Sequence, residues 1–203
     1  MDFIYEIENA IPKQVCDLIV KRFKSEPDSI KSLSKIGAAG GVVDTRVRKS
    51  TMLHFSTLDN WKDVDDVVYD VFKRGFRKYN EYIHTYANGD DRLTTQIDNK
   101  FTNLEDEGYF VQEYKTGDFY DWHVDSMGPS KDHFPRRGRN ISCILYLNTL
   151  GEDEGGCTEF IGGKKIKPIQ GKLLMFPSSW TYFHRGAPVF NGGVKYTIGT
   201  WAI

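Results

Sequence analysis

Hydrophobic and polar residues alternate in two rhythms along this chain, and the change falls near residue 108. Before it, apolar positions recur at three- and four-residue spacing. In PKQVCDLIVKRFKSE they fall at Val15, Leu18, Ile19 and Phe23, which predicts an amphipathic helix with Pro12 at its start. In LDNWKDVDDVVYDVFKRGFRKYNEYIHTY the stripe runs through Val64, Val67, Val68, Val71 and Phe72 to Phe76 and Tyr79, which predicts a long helix broken near Gly75. A short strand, FIYEIENAIP, precedes the first helix. A glycine-rich loop, IGAAGGVVDTRVRKSTMLHFS, runs into another strand between the two. After residue 108 the runs shorten to YFVQEY, ISCILYLNTL, CTEFIG, KKIKPI, KLLMFPSS, APVF and VKYTIGTWAI, separated by Gly, Pro, Asn and Asp. Short β-branched and aromatic runs between turn residues predict a small β-sandwich or barrel. No linker composition divides the two halves, so residues 1–203 are expected to form a single domain, with helices bracing one sheet.

Composition narrows the function classes. The 13 Phe, 11 Tyr and 4 Trp suit a packed, sheet-rich interior. Lys plus Arg, 27, balances Asp plus Glu, 28, so nothing in the overall charge favours nucleic acid or a membrane surface. No apolar run approaches membrane-spanning length. Cys16, Cys143 and Cys157 are odd in number and form no C-x-x-C, which points to free thiols in a reducing compartment. The opening MDFIYEIENA is acidic where an export signal is basic and then apolar, and a cytoplasmic location is expected.

The candidate chemistry lies in DFYDWHVDS, residues 118–126. On a strand, His123 and Asp125 point to one face, because side chains alternate. Two such ligands need a third from elsewhere. His184, in SSWTYFHRGAPV, follows some sixty residues later, room for several short strands. Two histidines and one carboxylate are the facial triad of non-haem Fe(II) oxygenases, which leaves positions open for cosubstrate and O₂. Taken singly, a histidine such as His184 is more often packed or hydrogen-bonded than a ligand, and an aspartate such as Asp125 beside Ser-Met-Gly-Pro is more often a turn former. Lys195, in the middle of the last strand with Thr197, Gly199 and Trp201 on its face, either meets solvent or points inward, where a buried ammonium needs an anionic partner.

These segments together resemble the 2-oxoglutarate/Fe(II)-dependent dioxygenases, and among them the prolyl 4-hydroxylase-like group. YKTGDFYDWHVD carries that group's Tyr, Gly, Tyr, His and Asp at Tyr114, Gly117, Tyr120, His123 and Asp125. RNISCILYLN, GGCTEF, IKPIQGKLLMFPSS and HRGAPVFNGGVKYTIGTW follow its later strands, and RVRKSTML resembles its Arg-x-Ser strand. One departure stands out: His184 to Lys195 is one residue longer than usual, which suggests a wider turn at Gly192-Gly193. The resemblance implies a mainly β fold with helices, a double-stranded β-helix or jelly roll, with support over 1–107 and the core over 108–203. It implies Fe(II) on His123, Asp125 and His184, the distal carboxylate of 2-oxoglutarate on Lys195, and Tyr114 and Tyr146 as further cosubstrate contacts. O₂ is the implied co-reactant and ascorbate the implied reductant. Asp125 also matters for the outcome: halogenases of the superfamily lack that carboxylate, so its presence favours hydroxylation.

The implied substrate is a prolyl residue of a peptide or protein. Another protein side chain, a free amino acid and a non-catalytic metal-binding jelly roll are the competing readings. A cupin would favour His-x-His with a downstream glutamate, a pattern absent from this chain. Two segments are candidate substrate walls: the basic loop 126–139, with Lys131, His133, Arg136, Arg137 and Arg139, read as a lid or a solvated loop, and the polar stretch 87–108.

Overall fold

The computed structural model describes residues 2–36, 41–101, 104–126 and 138–203. The strands are β1 (Tyr5–Ile7), β2 (Ser32–Leu33), β3 (Arg48–Lys49), β4 (Thr51–His54), β5 (Phe110–Lys115), β6 (Phe119–His123), β7 (Ile141–Tyr146), β8 (Thr158–Phe160), β9 (Lys165–Ile166), β10 (Leu173–Pro177), β11 (His184–Gly186) and β12 (Val194–Ala202). The helices are α1 (Lys13–Ser25), α2 (Lys62–His84) and α3 (Asp91–Phe101). Every strand pairing is antiparallel. A large sheet runs β1-β10-β7-β12-β5-β4-β2 and a small one β3-β6-β11-β8-β9. Strands from the first half, β1 to β4, thus complete both sheets.

Strand alternation sorts the large sheet into two faces. Cys143, Leu145, Leu173, Met175, Tyr196 and Ile198 pack with α1 and α2 in the main core. Their strand neighbours Ser142, Ile144, Tyr146, Lys195, Thr197, Gly199 and Trp201 line a pocket between the sheets. Because both faces are covered, these strands read as near-continuous apolar runs. Tyr146, Phe160, Ile166, Leu174 and Phe176 make a second core where the two sheets meet.

The helices differ from expectation in detail. In α1 the buried stripe is Cys16, Ile19 and Phe23, while Leu18 lies on the flank, 64% exposed. In α2, Val68, Val71, Phe72 and Tyr79 are buried and Val67 faces out. The helix is not broken at Gly75. A Cβ there would stand 2.5 Å from Leu173 Cδ2 and 3.3 Å from Met175 Sδ, so the glycine lets α2 lie close against β10.

None of the described residues of the stretch 87–108 lines the pocket; much of the stretch is α3, packed on α2. Its signal was present in the sequence: Asp90 Oδ1 accepts from the backbone N–H of Arg92 and Leu93 as an N-terminal cap, and Leu93, Ile97 and Phe101 follow at four-residue spacing. APVF forms no strand, only a bridge between Val189 and Gly155. The turn before β12 is tight rather than wide. Asn191 and Gly192 take φ of 52° and 81°, and the Gly193 N–H donates to Phe190 O at 2.9 Å, the geometry of a two-residue hairpin turn. Residues 127–137, including Lys131, His133, Arg136 and Arg137, lie outside the described residues.

Gly75→Ala tests the close approach of helix to sheet. In an exposed helix the change would add up to ~1 kcal/mol of stability. Here the methyl group meets a fully buried Leu173, and a loss of about 1–3 kcal/mol is expected in urea unfolding. An unchanged or raised midpoint would contradict it.

Candidate metal centre and its pocket

The centre is built on one strand pair. β6 and β11 run antiparallel, with His184 directly opposite His123. The register shifts between His184 and Gly186, a local irregularity next to the site. Asp125 follows β6 by two residues and turns back toward both rings. Its Oδ1 lies 3.6 Å from His123 Nε2 and its Oδ2 3.5 Å from His184 Nε2. One donor atom from each of the three residues falls within 4.8 Å of the others, and this is the metal-ligand group present among the described residues.

Hydrogen bonds orient each donor. His123 Nδ1 meets Asp121 O at 2.7 Å and His184 Nδ1 meets Tyr182 O at 3.0 Å, which fixes Nδ1 as the protonated nitrogen and leaves both Nε2 lone pairs facing the carboxylate. Burial lowers the His184 pKa to about 4, ahead of an opposing attraction from Asp125, so the ring is neutral near pH 7. For Asp125, burial raises the pKa. The adjoining histidine rings and the Ser142 hydroxyl that donates to it outweigh it, and the group is a carboxylate. Ser142 Oγ donates to Asp125 Oδ2 at 2.7 Å and sits 2.8 Å from Ser178 Oγ. Tyr120 stacks on His123 at 3.5 Å between centroids, and burial pushes its phenol up to about 12. Two imidazoles with Nδ1 tied to a carbonyl and a carboxylate that accepts from Ser142 fit a divalent cation that takes N and O ligands.

Lys195 faces inward. It is 3% exposed, its Nζ donates to Gly156 O at 2.9 Å, and it lies 4.5 Å from the centroid of the Tyr114 ring. No carboxylate pairs with it among the described residues, and burial lowers its pKa to about 8. Tyr114 and the fully buried Tyr146 line the same pocket, with Tyr146 Oη 2.7 Å from Thr158 Oγ1. Arg139 and Arg185, two further cations near these strands, are engaged. Arg139 makes two hydrogen bonds to Glu107, at 2.9 and 2.7 Å, and Arg185 binds Glu159 at 2.8 Å.

The pocket therefore brings together all six residues singled out from the sequence: His123, Asp125, His184, Tyr114, Tyr146 and Lys195. Sequence reasoning gave no role to Ser142, Thr158, Arg48 or Gln112, which also line it. The signal for Ser142 was a lone polar residue inside an otherwise apolar strand.

Residues 109–203 match the model of the 2OG-Fe(II) oxygenase superfamily. No curated protein matches the chain in sequence. Solved structures match it throughout. The collagen prolyl hydroxylase of Paramecium bursaria Chlorella virus-1, solved with 2OG, is 20% identical with a TM-score of 0.62, over 98% of this chain and 95% of that one. A Trichoplax adhaerens prolyl hydroxylase, solved with a peptide fragment of a hypoxia-inducible-factor oxygen degradation domain, is 19% identical with a TM-score of 0.69, over 100% and 84%. A Pseudomonas putida prolyl-4-hydroxylase is 17% identical with a TM-score of 0.62, over 99% and 92%. At these identities the likeness is one of fold. Among the described residues, no helix is long and apolar enough to cross a membrane.

Two measurements probe the site without turnover. His184→Ala removes one of three candidate donors, and Fe(II) affinity measured anaerobically should fall by at least tenfold; wild-type affinity would show that the metal sits elsewhere. Lys195→Met removes a buried charge from the metal-free protein. A fall from 10.5 to about 8 corresponds to about 3 kcal/mol, less what the Gly156 hydrogen bond returns. The unfolded lysine binds its proton more tightly, so this cost is fully present below about pH 8 and fades as pH rises toward 10.5. Lys195→Met should be more stable than wild type at pH 7, and the gain should shrink by pH 10.5. A less stable variant at pH 7 would contradict the buried charge.

Proposed function

From the match of residues 109–203 to the model of the 2OG-Fe(II) oxygenase superfamily, we propose that this chain is a dioxygenase that hydroxylates a prolyl residue in a peptide or protein. The observation that carries the reading is the pairing of a His-Asp-His centre with a buried, uncompensated ammonium in one pocket. We read the two facing antiparallel sheets as a jelly roll, and residues 1–203 as one domain in which the first half supports the core.

In this reading His123, Asp125 and His184 hold Fe(II). The Lys195 ammonium takes the distal carboxylate of 2-oxoglutarate, and Tyr114, stacked on that ammonium, and Tyr146 border the cosubstrate. Bound Fe(II), with 2-oxoglutarate and O₂, supplies the oxidising power to hydroxylate an unactivated C–H bond while the cosubstrate is decarboxylated to succinate; ascorbate serves as reductant. The protein's task is to orient the ligands and to keep water from the pocket. The prolyl assignment rests on fold likeness to enzymes that carry that name, a warrant by analogy. Arg48 adds to it: a buried cation over the Tyr120 ring that lines the pocket without an acidic partner among the described residues suits the carbonyl oxygens of a peptide.

The test is succinate release, with Fe(II) and ascorbate, against proline-rich peptides, free amino acids and methylated oligonucleotides, using wild type and Lys195→Ala. Wild type should respond to a peptide. Lys195→Ala should bind Fe(II) yet lose 2-oxoglutarate affinity by about a hundredfold, the result of removing one partner of a buried pair at ~3 kcal/mol or more. A response to the oligonucleotide alone would replace the prolyl reading. Undiminished 2-oxoglutarate affinity in the variant would remove Lys195 from the site.

A further inference from the structure

Three successive cross-strand pairs of β12 and β5 form the floor of the pocket. Lys195 faces Tyr114, Thr197 faces Gln112, and Gly199 faces Phe110. All six side-chain positions line the same space. The first step is the anion end. The third is apolar: the Phe110 ring occupies the room a Cβ on Gly199 would need, 2.6 Å away, and stacks obliquely on Trp201. The middle step is different. Gln112 is 7% exposed, and its Nε2 is buried with no hydrogen-bond partner.

A buried amide N–H without an acceptor costs free energy in the resting protein, on the order of 1–3 kcal/mol. The amide takes no part in the main core, which Val111 contacts from the other face of β5. Gln112 also lies one pleat, ~7 Å along the strand, beyond the Tyr114–Lys195 pair. A five-carbon dicarboxylate anchored on Lys195 and directed at the His123–Asp125–His184 group would run across the pocket toward the small sheet rather than along β5. The orphan donor is thus left facing the space beside the cosubstrate.

We propose that Gln112 is a specificity-determining residue whose Nε2–H donates to a carboxyl-derived oxygen of the substrate, the carbonyl flanking the residue that is oxidised, while Phe110 and Trp201 offer the adjoining apolar shelf. The inference rests on the peptide reading above and adds to it the group that recognises the backbone. A donor there selects substrates that present an acceptor at that point. A substrate with an N–H in its place leaves two donors facing each other and is rejected.

Binding can be measured without chemistry, by calorimetry in the absence of O₂ with Mn(II) in place of Fe(II) and saturating 2-oxoglutarate. The probes are a capped proline-rich decapeptide and free proline, and the proteins are wild type, Gln112→Met and Gln112→Glu. The near-isosteric Gln112→Met should weaken the decapeptide by roughly tenfold or more and hold or raise the melting temperature of the metal-free protein, because an unpaired polar group has gone. Gln112→Glu, which presents an acceptor, should also bind poorly. If free proline binds more tightly than the capped peptide and Gln112→Met loses it equally, the donor role stands and the acceptor is a free carboxylate. Unchanged peptide affinity in Gln112→Met overturns the proposal alone, as does tighter binding by Gln112→Glu. So does a drop of several degrees in melting temperature with peptide affinity intact, which marks a structural role. Failure of wild type to bind either probe overturns the prolyl reading and this proposal with it.

Discussion

The register that sets His184 against His123 is the constraint on which the site depends. β11 is only three residues long, and a slip of one residue would turn His184 away from Asp125 and put Arg185 in its place. The strand is held on both sides. β6 pairs with it through His123 and Tyr120, and β8 through Phe160, Glu159 and Thr158. The Arg185–Glu159 hydrogen bond ties the outward face, while Phe160 and Phe176 pack edge-on or obliquely around the His184 ring. Each element that fixes the register also excludes water from the ring, so geometry and the neutral state of His184 have one cause.

The large sheet supplies the opposite wall, and the helices make that possible. By covering Cys143, Leu145, Tyr196 and Ile198, α1 and α2 carry the apolar burden on one face and leave the other free for Ser142, Lys195, Thr197 and Gln112. Polar groups on that inner face would be destabilising in an ordinary sandwich core. Here they converge on the pocket, and among the described residues the Nε2 of Gln112 has no partner, nor does the Nε of Arg48 on β3 of the small sheet. The Gly75 contact brings α2 close to β10, the strand that also carries Leu174 and Phe176 into the inner core.

Much of this was legible in the sequence because the strands are short, punctuated by turn residues and dense in motifs. The positions of His123, Asp125 and His184 followed from alternation and spacing together with the family resemblance; the place of Lys195 on the last strand left solvent and interior both open, and the resemblance alone pointed inward, where the structure pairs it with Tyr114. Legibility failed where local pattern and tertiary packing disagree. Gly75 looks like a helix breaker in isolation but marks a close approach, which only the neighbouring sheet reveals. The helix α3 is polar enough to pass for a loop, since only Leu93, Ile97 and Phe101 trace its stripe. The Asn191-Gly192 turn is tight despite the longer spacing, because both residues take positive φ. Gln112 carries no motif, and its significance rests on an unpaired atom that no sequence displays.

The central claim is that one cleft holds the metal on the small sheet and an uncompensated ammonium on the large one, so that a single dicarboxylate spans them. A crystal structure of the protein with Mn(II) and 2-oxoglutarate, grown without O₂, tests this most directly. The account predicts anomalous density bounded by His123 Nε2, Asp125 and His184 Nε2, and the distal carboxylate of the cosubstrate within hydrogen-bonding distance of Lys195 Nζ. Metal bound elsewhere, or a cosubstrate turned so that its distal carboxylate rests on Arg48 while Lys195 keeps only Gly156, would contradict it.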